Sequence, residues 1–129
     1  MKRDMSGTVI SQELICKDCY RMVISTEKQI IDEAQPGQFI HLQLNQWGNP
    51  LMRRPFSIHQ INRPQQTISI LYAVVGLGTR MMTELGPGTK LNFLGPLGNG
   101  FPMEDVRGKN MLVVTGGLGV APLLFTVQN

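Results

Sequence analysis

The sequence predicts a mainly β protein: a six-stranded antiparallel barrel with one short helix, followed by the beginning of an α/β domain. Glycine and proline are plentiful, with 14 and 8 residues, and they separate short runs of β-branched residues. That pattern is typical of small barrels and sandwiches. After Gly108 the chain changes to a continuous apolar strand, a glycine-rich turn and an apolar run, which is typical of a βαβ opening. We therefore expect a barrel domain at residues 1–107 and the N-terminal fragment of a second domain at residues 108–129.

The predicted strands follow the alternation of apolar and polar residues. They cover residues 8–15, 20–25, 39–44, 57–61, 67–74 and 90–94. The predicted helix lies in the stretch GTRMMTELGPG, where Thr79 can cap it, Met81, Met82 and Leu85 form an apolar face, and Gly86 before Pro87 ends it. The sequence thus places one short helix between the last two strands.

Composition narrows the class of protein. The chain has 129 residues, 42% of them hydrophobic, and a net charge of +3, with its basic residues scattered except at Arg53 and Arg54. Nucleic-acid surfaces need clustered basic residues, so we expect no nucleic-acid partner. No apolar run approaches the length of a membrane helix or a secretory signal, so we expect a cytoplasmic protein without a membrane contact.

Two cysteines, Cys16 and Cys19, form a single C-x-x-C. Structural zinc requires four ligands, and the two histidines, His41 and His59, lie far away on predicted strands. The surrounding alternation predicts a hairpin rather than the helix of a redox motif. We therefore interpret the cysteines as reduced thiols beside a tight turn at Lys17 and Asp18, and we predict no metal site.

The stretch RRPFS, residues 53–57, is the first candidate anion site. Arg54 can form two parallel hydrogen bonds to a phosphate, while Pro55 fixes the direction of the following strand, Phe56 offers an aromatic face and Ser57 a hydroxyl. The alternative is an ordinary opening of an edge strand, since the residue before proline favours extended backbone.

Two glycine-rich turns are further candidates. In VVGLGT, Gly76 and Gly78 permit close approach of a ligand to the backbone, and a following helix would direct free N–H groups at it. In TGGLGVAP, a buried strand leads through a glycine turn into a helix, the context of a dinucleotide-binding turn. Either turn could instead serve only to start a helix.

The order and spacing of four stretches carry a stronger signal than any one of them. RRPFSI, LYAVVGLGT, LGPLGNGF and VTGGLGVAPL together resemble the ferredoxin reductase superfamily, in which a flavin-binding barrel precedes a nicotinamide-binding domain. Within it, LGPLGNGF and the GLGT turn resemble the electron-transfer subunits of NAD-dependent dihydroorotate dehydrogenases, which serve pyrimidine biosynthesis. The resemblance covers nearly the whole chain.

The resemblance implies that the barrel binds FAD. It implies that Arg54 contacts a phosphate, that Phe56 lies near the flavin ring and that Ser57 hydrogen-bonds its reactive edge. The other implied cofactor-binding residues are Pro55 in the same stretch, Leu71, Tyr72 and Ala73 along the cofactor, Gly78 and Thr79 at the pyrophosphate, and Gly116, Gly117 and Gly119 at the start of an NAD site.

The resemblance also implies a catalytic partner. In the family, electrons from dihydroorotate reach FMN in a partner subunit, pass through a two-iron two-sulfur cluster to FAD, and reduce NAD. The cysteine cluster that holds such a centre is absent here, so we expect this chain to be inactive alone. No residue is expected to act as a general acid or base, and His59 is interpreted as structural.

The sequence supports three hypotheses for the function of the chain. The first is the FAD-binding electron-transfer subunit. The second is the flavin subunit of another superfamily member: a hydrogenase, a sulfide dehydrogenase or a ferredoxin:NADP reductase. The third is a non-catalytic barrel that binds an oligonucleotide or a protein. Apolar residues at 111–114 and 123–127 also predict self-association of the chain if they are exposed.

Overall fold

A computed structural model describes residues 4–43 and 53–98 of the chain. In chain order, the elements are β1 (Asp4–Cys16), β2 (Cys19–Thr26), α1 (Lys28–Glu33), β3 (Phe39–Gln43), β4 (Arg53–Ser57), β5 (Gln60–Asn62), β6 (Thr67–Ala73), α2 (Leu77–Met82) and β7 (Lys90–Leu97). The predicted second domain at residues 108–129, with Gly116, Gly117 and Gly119, lies outside the described residues, as does the predicted strand end at residue 44.

The strands form one antiparallel sheet in the order β4-β3-β7-β1-β2-β6-β5. The longest pairing is the hairpin of β1 and β2, whose register places Cys16 opposite Cys19 across the turn at residues 17 and 18. The prediction of a mainly β, antiparallel protein is confirmed. Within the described residues the strand order has two ends, β4 and β5, so strand pairing alone does not close a barrel.

The two ends of the sheet are joined by residues 58 and 59. The Ile58 N–H donates to the carbonyl of Gln38, just before β3, at 3.1 Å, and the His59 N–H donates to the carbonyl of Ser69 in β6 at 2.8 Å. The consecutive residues Ile58 and His59 are thus hydrogen-bonded to opposite halves of the sheet. The sheet therefore curls, because a flat sheet could not bring β3 and β6 to neighbouring residues.

The core lies inside this curl. Alternate residues of the strands point into it, and the largest fully buried side chains include Tyr72, Phe93, Met22 and Ile24. Gly7 lies where β1 passes close to β2: an added Cβ would come within 2.8 Å of the Ser25 carbonyl oxygen. Only glycine permits that approach without a shift of the backbone.

The described residues form seven strands, whereas six were predicted for the barrel. The predicted strand at 57–61 is wrong: residues 53–57 form β4 and residues 60–62 form β5, with Ile58 and His59 between them. RRPFS is therefore a strand itself, not the approach to one. Pro55 fits there because β4 is an edge strand, where a missing N–H leaves no partner unsatisfied.

Residues 4–43 and 53–98 also contain two helices, whereas one was predicted for the barrel. The missed helix, α1, is six residues long, buries Ile30 and Ile31, and carries an ion pair between Lys28 and Asp32 at 2.8 Å. The predicted helix exists as α2 but begins at Leu77, two residues before the predicted cap. Its apolar face is as expected, since Met82 is fully buried and Leu85 packs against the core.

The cysteines occupy the predicted hairpin. Both thiols are free, Cys16 exposed and Cys19 buried. Burial, followed by a hydrogen bond and the charge of Cys16, raises the pKa of the Cys19 thiol. Among the residues described, no three His, Cys, Asp or Glu side chains gather as metal ligands, and no helix has the length and apolar character needed to cross a membrane.

Candidate functional site

A cavity of about 440 Å³ opens between β4 on one side and the end of β6 with the start of α2 on the other. Its volume is within the usual range for small-molecule sites. The lining residues are Arg54, Pro55, Phe56, Ser57, Leu71, Tyr72, Ala73, Val75, Gly76, Gly78 and Thr79. Every site residue that the sequence predicted within the described part of the chain therefore lines this one cavity.

The first wall of the cavity, which we call the edge wall, is β4. Its pairing with β3 places Arg54 opposite Leu42 and Phe56 opposite Ile40. Because side chains alternate along a strand, Arg54 and Phe56 share one face while Arg53 and Pro55 share the other. Arg54 is exposed and, among the residues that the structure describes, is the only charged side chain that lines the cavity.

Arg53 points away from the cavity. Its guanidinium donates to the carbonyl of His41 at 3.3 Å and to Oδ1 of Asn92 at 3.0 Å. The two neighbouring arginines thus have different environments, one tied to β3 and β7 and the other beside the cavity. In the structure the Arg53 guanidinium therefore binds the protein itself.

The second wall, which we call the braced wall, consists of residues 71–73 of β6 and residues 75–79. Tyr72 is 1% exposed, and its hydroxyl donates to Oε1 of Gln12 at 2.5 Å. The Nε2 group of Gln12 in turn donates to the carbonyls of Met82 and Leu85, at 2.7 and 2.9 Å. One side chain of β1 therefore ties the end of α2 to β6.

Aromatic contacts join the two walls. The Phe56 ring meets Tyr72 edge to face with centroids 6.1 Å apart, and Tyr20 stacks on Tyr72 at 5.7 Å. Both distances are in the favourable range for aromatic pairs. Burial, and secondarily the charge of Tyr20, raises the pKa of Tyr72. The phenol consequently stays protonated and remains a donor to Gln12.

Thr79 shapes the loop at the start of α2. Its Oγ1 accepts hydrogen bonds from the N–H groups of Val75 at 2.9 Å and Gly76 at 3.1 Å, and donates to the Gly76 carbonyl at 3.2 Å. Thr79 itself is 8% exposed. The sequence had placed Thr79 as the residue that caps the helix, but Gly76 occupies that position and Thr79 reaches back to it.

Gly76 leaves open space in this wall. An ideal Cβ built on Gly76 would meet no atom within 4 Å, and its φ of −168° is extended backbone that any residue adopts. The glycine is therefore not required by the protein's own packing. A bare backbone here lets a ligand approach the first N–H groups of α2, which lack partners within the helix.

One lining residue, Val75, was not singled out from the sequence as a candidate site residue. Val75 is 84% exposed, which is unusual for a valine and follows from its place at the cavity rim. The glycine spacing of VVGLGT had pointed to Gly76 as a point of backbone approach. His59 is buried and does not line the cavity, and its N–H bonds to β6.

The sequence of the chain matches a known family of cofactor-binding domains. Residues 6–101 match the family described as oxidoreductase FAD-binding domain, which covers most of the chain. The chain belongs to that family.

Among curated proteins, the chain is similar to subunits of one particular oxidoreductase. It is 37% identical over 99% of its length to the "Dihydroorotate dehydrogenase B (NAD(+)), electron transfer subunit" of Desulforamulus reducens, covering 48% of that protein. It is 41% identical over 90% of its length to the subunit of the same name from Bacillus caldolyticus, covering 45% of it. The sequence-based resemblance is thus confirmed, and the chain spans about half the length of these relatives.

Solved structures confirm the fold. The cytochrome P450 reductase GcoB of Amycolatopsis superposes with a TM-score of 0.80 at 24% identity, covering 98% of this chain and 38% of that one. A ferredoxin NADP+ reductase from Neisseria gonorrhoeae, solved with bound FAD and NADP, superposes with a TM-score of 0.73 at 15% identity, covering 98% of this chain and 51% of the other. At these identities the likeness concerns architecture alone.

The residues of the cavity fit an FAD cofactor. A dinucleotide needs a cationic group for its phosphates, an apolar face for its ring and backbone donors along its length. The cavity offers these as Arg54, Phe56 and the uncovered backbone at Gly76.

Proposed function

We propose that the chain is the FAD-binding part of an electron-transfer subunit of the dihydroorotate dehydrogenase type. The observation that carries the proposal is the cavity itself, since nine residues predicted as cofactor-binding line it together: Arg54, Pro55, Phe56, Ser57, Leu71, Tyr72, Ala73, Gly78 and Thr79. These residues come from β4, from β6 and from the start of α2, and motifs that served only local turns or strand openings would have no reason to meet at one cavity. Family membership supports FAD as the ligand.

Each wall has its own part in binding. We propose that the guanidinium of Arg54 pairs with a phosphate, because a charge-assisted double hydrogen bond suits phosphate geometry. Phe56 would pack against the flavin ring, and Ser57 would hydrogen-bond the ring's edge. On the braced wall, backbone groups of residues 71–73 would line the cofactor, while Gly78 and Thr79 would hold the pyrophosphate.

The chemistry would be supplied by the cofactor, which when bound accepts and donates either one electron or two. The chain's own residues would bind the flavin, orient it and exclude water from one side of it. Within residues 4–43 and 53–98, no carboxylate or histidine lines the cavity, and proton transfer by a side chain is not part of the proposal.

The names of the relatives suggest the place of the chain in a larger reaction. We propose that it receives electrons derived from dihydroorotate through an FMN-containing catalytic partner subunit and an iron–sulfur centre, and passes them to NAD during pyrimidine biosynthesis. Gly116, Gly117 and Gly119 would begin the NAD site, in a second domain that starts near residue 108. Identities of 36 to 41% to such subunits favour this role over that of the more distant reductases.

A fluorescence titration tests the cofactor assignment. The purified chain is titrated with FAD and, separately, with FMN, and flavin quenching is followed. Saturable binding of FAD in preference to FMN is expected, because only FAD carries a pyrophosphate for the residues 76–79. Equal affinity for the two, or binding of neither, would contradict the assignment.

A second experiment tests the partner. A tagged chain is co-expressed with the catalytic dihydroorotate dehydrogenase subunit from the same genome, and the two are purified through the tag. Co-elution in a fixed ratio is expected, and a ferredoxin:NADP reductase substrate, ferredoxin, serves as the control that should not co-elute. Retention of ferredoxin alone would instead support the hypothesis that the chain belongs to a ferredoxin:NADP reductase.

A further inference from the structure

A second cavity, separate from the one that we propose for FAD (the flavin cavity), lies on the outer face of the sheet and is lined by residues of β1, β2, β5 and β6. It has a volume of about 230 Å³ and a mainly polar lining that includes Ser11, Arg21, Gln60, Asn62 and Ser69. We call it the polar cavity. Because side chains alternate along β6, Thr67, Ser69, Leu71 and Ala73 lie on the same side of the strand. The first two line the polar cavity, and the last two line the flavin cavity further along the strand.

Ser69 supplies the first indication of a ligand. It is 2% exposed, and its hydroxyl has no hydrogen-bond partner among the described residues. The register places it beside Val23 and Gln60, both of which line the polar cavity. Buried hydroxyl groups are nearly always paired, because an unpaired one loses its bonds to water without replacement. A ligand oxygen in the cavity would satisfy it.

Arg21 supplies the second indication. Its guanidinium donates to Oε1 of Gln60 at 3.1 Å, which fixes the arginine over the cavity and leaves the Gln60 amide NH₂ as a donor. The guanidinium is also 3.8 Å from the carboxylate of Glu13, but that carboxylate is 70% exposed. Pairs exposed to this degree are weak. The arginine therefore keeps both charge and donors for a ligand.

We propose that the polar cavity binds a small carboxylate whose body carries amide or hydroxyl groups. A single cation, partly balanced by Glu13, suits one negative charge rather than the two of phosphate. The planar guanidinium matches a carboxylate, while the side-chain amides of Gln60 and Asn62 and the hydroxyl of Ser69 would match polar groups on the ligand. This proposal is independent of the flavin assignment, because the two cavities share no lining residue.

Amide chemical shifts of the full chain test the proposal. The ¹⁵N-labelled chain is titrated at constant ionic strength with N-acetylglycine, acetate and inorganic phosphate. Saturable shifts confined to the strands that line the polar cavity, β1, β2, β5 and β6, are expected with N-acetylglycine, with weaker binding of acetate because it lacks the amide. No saturable shift at these strands, or binding of phosphate as tight as that of N-acetylglycine, would overturn the proposal.

Two variants separate a ligand site from a structural feature. Arg21→Gln should weaken N-acetylglycine binding by about tenfold or more through loss of a charged hydrogen bond. Arg63→Gln, at an exposed arginine outside the cavity, should leave it unchanged. Equal effects of the two substitutions would reduce the binding to general charge attraction and contradict the assignment.

Ser69→Ala gives the sharper result. Without ligand it should raise the melting temperature, because it removes an unpaired buried hydroxyl, and it should also weaken N-acetylglycine binding several-fold. A purely structural serine would lower the melting temperature when replaced. A lowered melting temperature, or unchanged binding, would therefore overturn the role of Ser69.

Discussion

The two walls of the cavity that we propose for FAD are built in different ways. The edge wall, β4, pairs with a single strand, and its Arg54 is exposed. The braced wall belongs to β6, which is paired on both sides and buried along six of its seven residues, and to a loop held by the Thr79 hydroxyl. The edge wall thus contributes the charged side chain, and the braced wall contributes the buried, closely packed side chains.

This difference shows how the fold can combine binding with stability. A charged group at an edge strand keeps its hydration until a ligand arrives, so its placement there costs the folded state little. A tyrosine buried between aromatic rings and bonded to Gln12 stabilises the fold but offers the ligand only its shape. Substitution of the cavity-lining arginine of the edge wall should therefore affect mainly binding, and substitutions in the braced wall should affect mainly stability.

The largest effect is expected for Tyr72→Ala in the braced wall. Loss of the buried ring and of the bond to Gln12 should lower the free energy of unfolding by about 3 to 5 kcal/mol. Chemical denaturation monitored by circular dichroism measures it. Tyr20→Ala, at a half-buried ring on the same stack, should cost clearly less. Equal losses would mean that Tyr72 has no special part in bracing the wall.

The next effect belongs to the edge wall and concerns binding. Arg54→Ala should weaken FAD binding by about 1.5 to 3 kcal/mol, which corresponds to roughly 10- to 150-fold, because a phosphate loses its charged partner. The melting temperature without flavin should stay the same. The matched control is Arg53→Ala, which removes the bonds to His41 and Asn92 and should lower stability while leaving FAD affinity unchanged. The opposite pattern would exchange the roles of the two arginines.

A smaller effect is expected at the loop. Thr79→Val keeps the size of the side chain but removes the acceptor for the N–H groups of Val75 and Gly76. Water can reach this rim, so the loss of stability should be only about 1.5 kcal/mol. FAD binding should weaken as well, because the loop loses its shape. Thr83→Val in the turn after α2, whose hydroxyl bonds only the Arg80 carbonyl, should change neither quantity appreciably.

The smallest effect appears only at alkaline pH. Because the pKa of Tyr72 is raised in the folded state, the unfolded state loses this proton first as the pH rises above the ordinary value of 10.0. The unfolded state then binds fewer protons, so the free energy of unfolding falls by up to about 1.4 kcal/mol per pH unit. Tyr72→Phe should lack this contribution and lose stability less steeply between about pH 10 and 11. Identical slopes in the two proteins would contradict the shift.

Much of the site could be predicted from the sequence because its motifs are local. Arg54 to Ser57, residues 71–73 and the pair Gly78 and Thr79 were each recognisable as short stretches, and the structure gathers them at one cavity. The strand boundaries around them were less accurate. RRPFS was interpreted as the opening of a strand that begins at Ser57, whereas the whole stretch is the edge strand β4, whose position depends on long-range pairing.

Features that depend on distant partners were not predictable. The different roles of Arg53 and Arg54 come from His41 and Asn92, which lie on other strands. The link from Gln12 to Tyr72 and α2 spans 60 or more residues, and nothing in the local sequence marks Gln12. Helix α1 was missed because six residues carry too little periodicity to distinguish a helix from a loop.

The most direct test of the account is a crystal structure of the chain with FAD. We expect the flavin ring to lie against Phe56 of the edge wall and a phosphate oxygen within hydrogen-bonding distance of the Arg54 guanidinium. The pyrophosphate should lie at Gly78 and Thr79. Arg53 should keep its bonds to His41 and Asn92. FAD bound elsewhere on the chain, or bound in this cavity with Arg54 turned into solvent, would contradict the proposal that the edge wall binds the phosphate while the braced wall stabilises the fold.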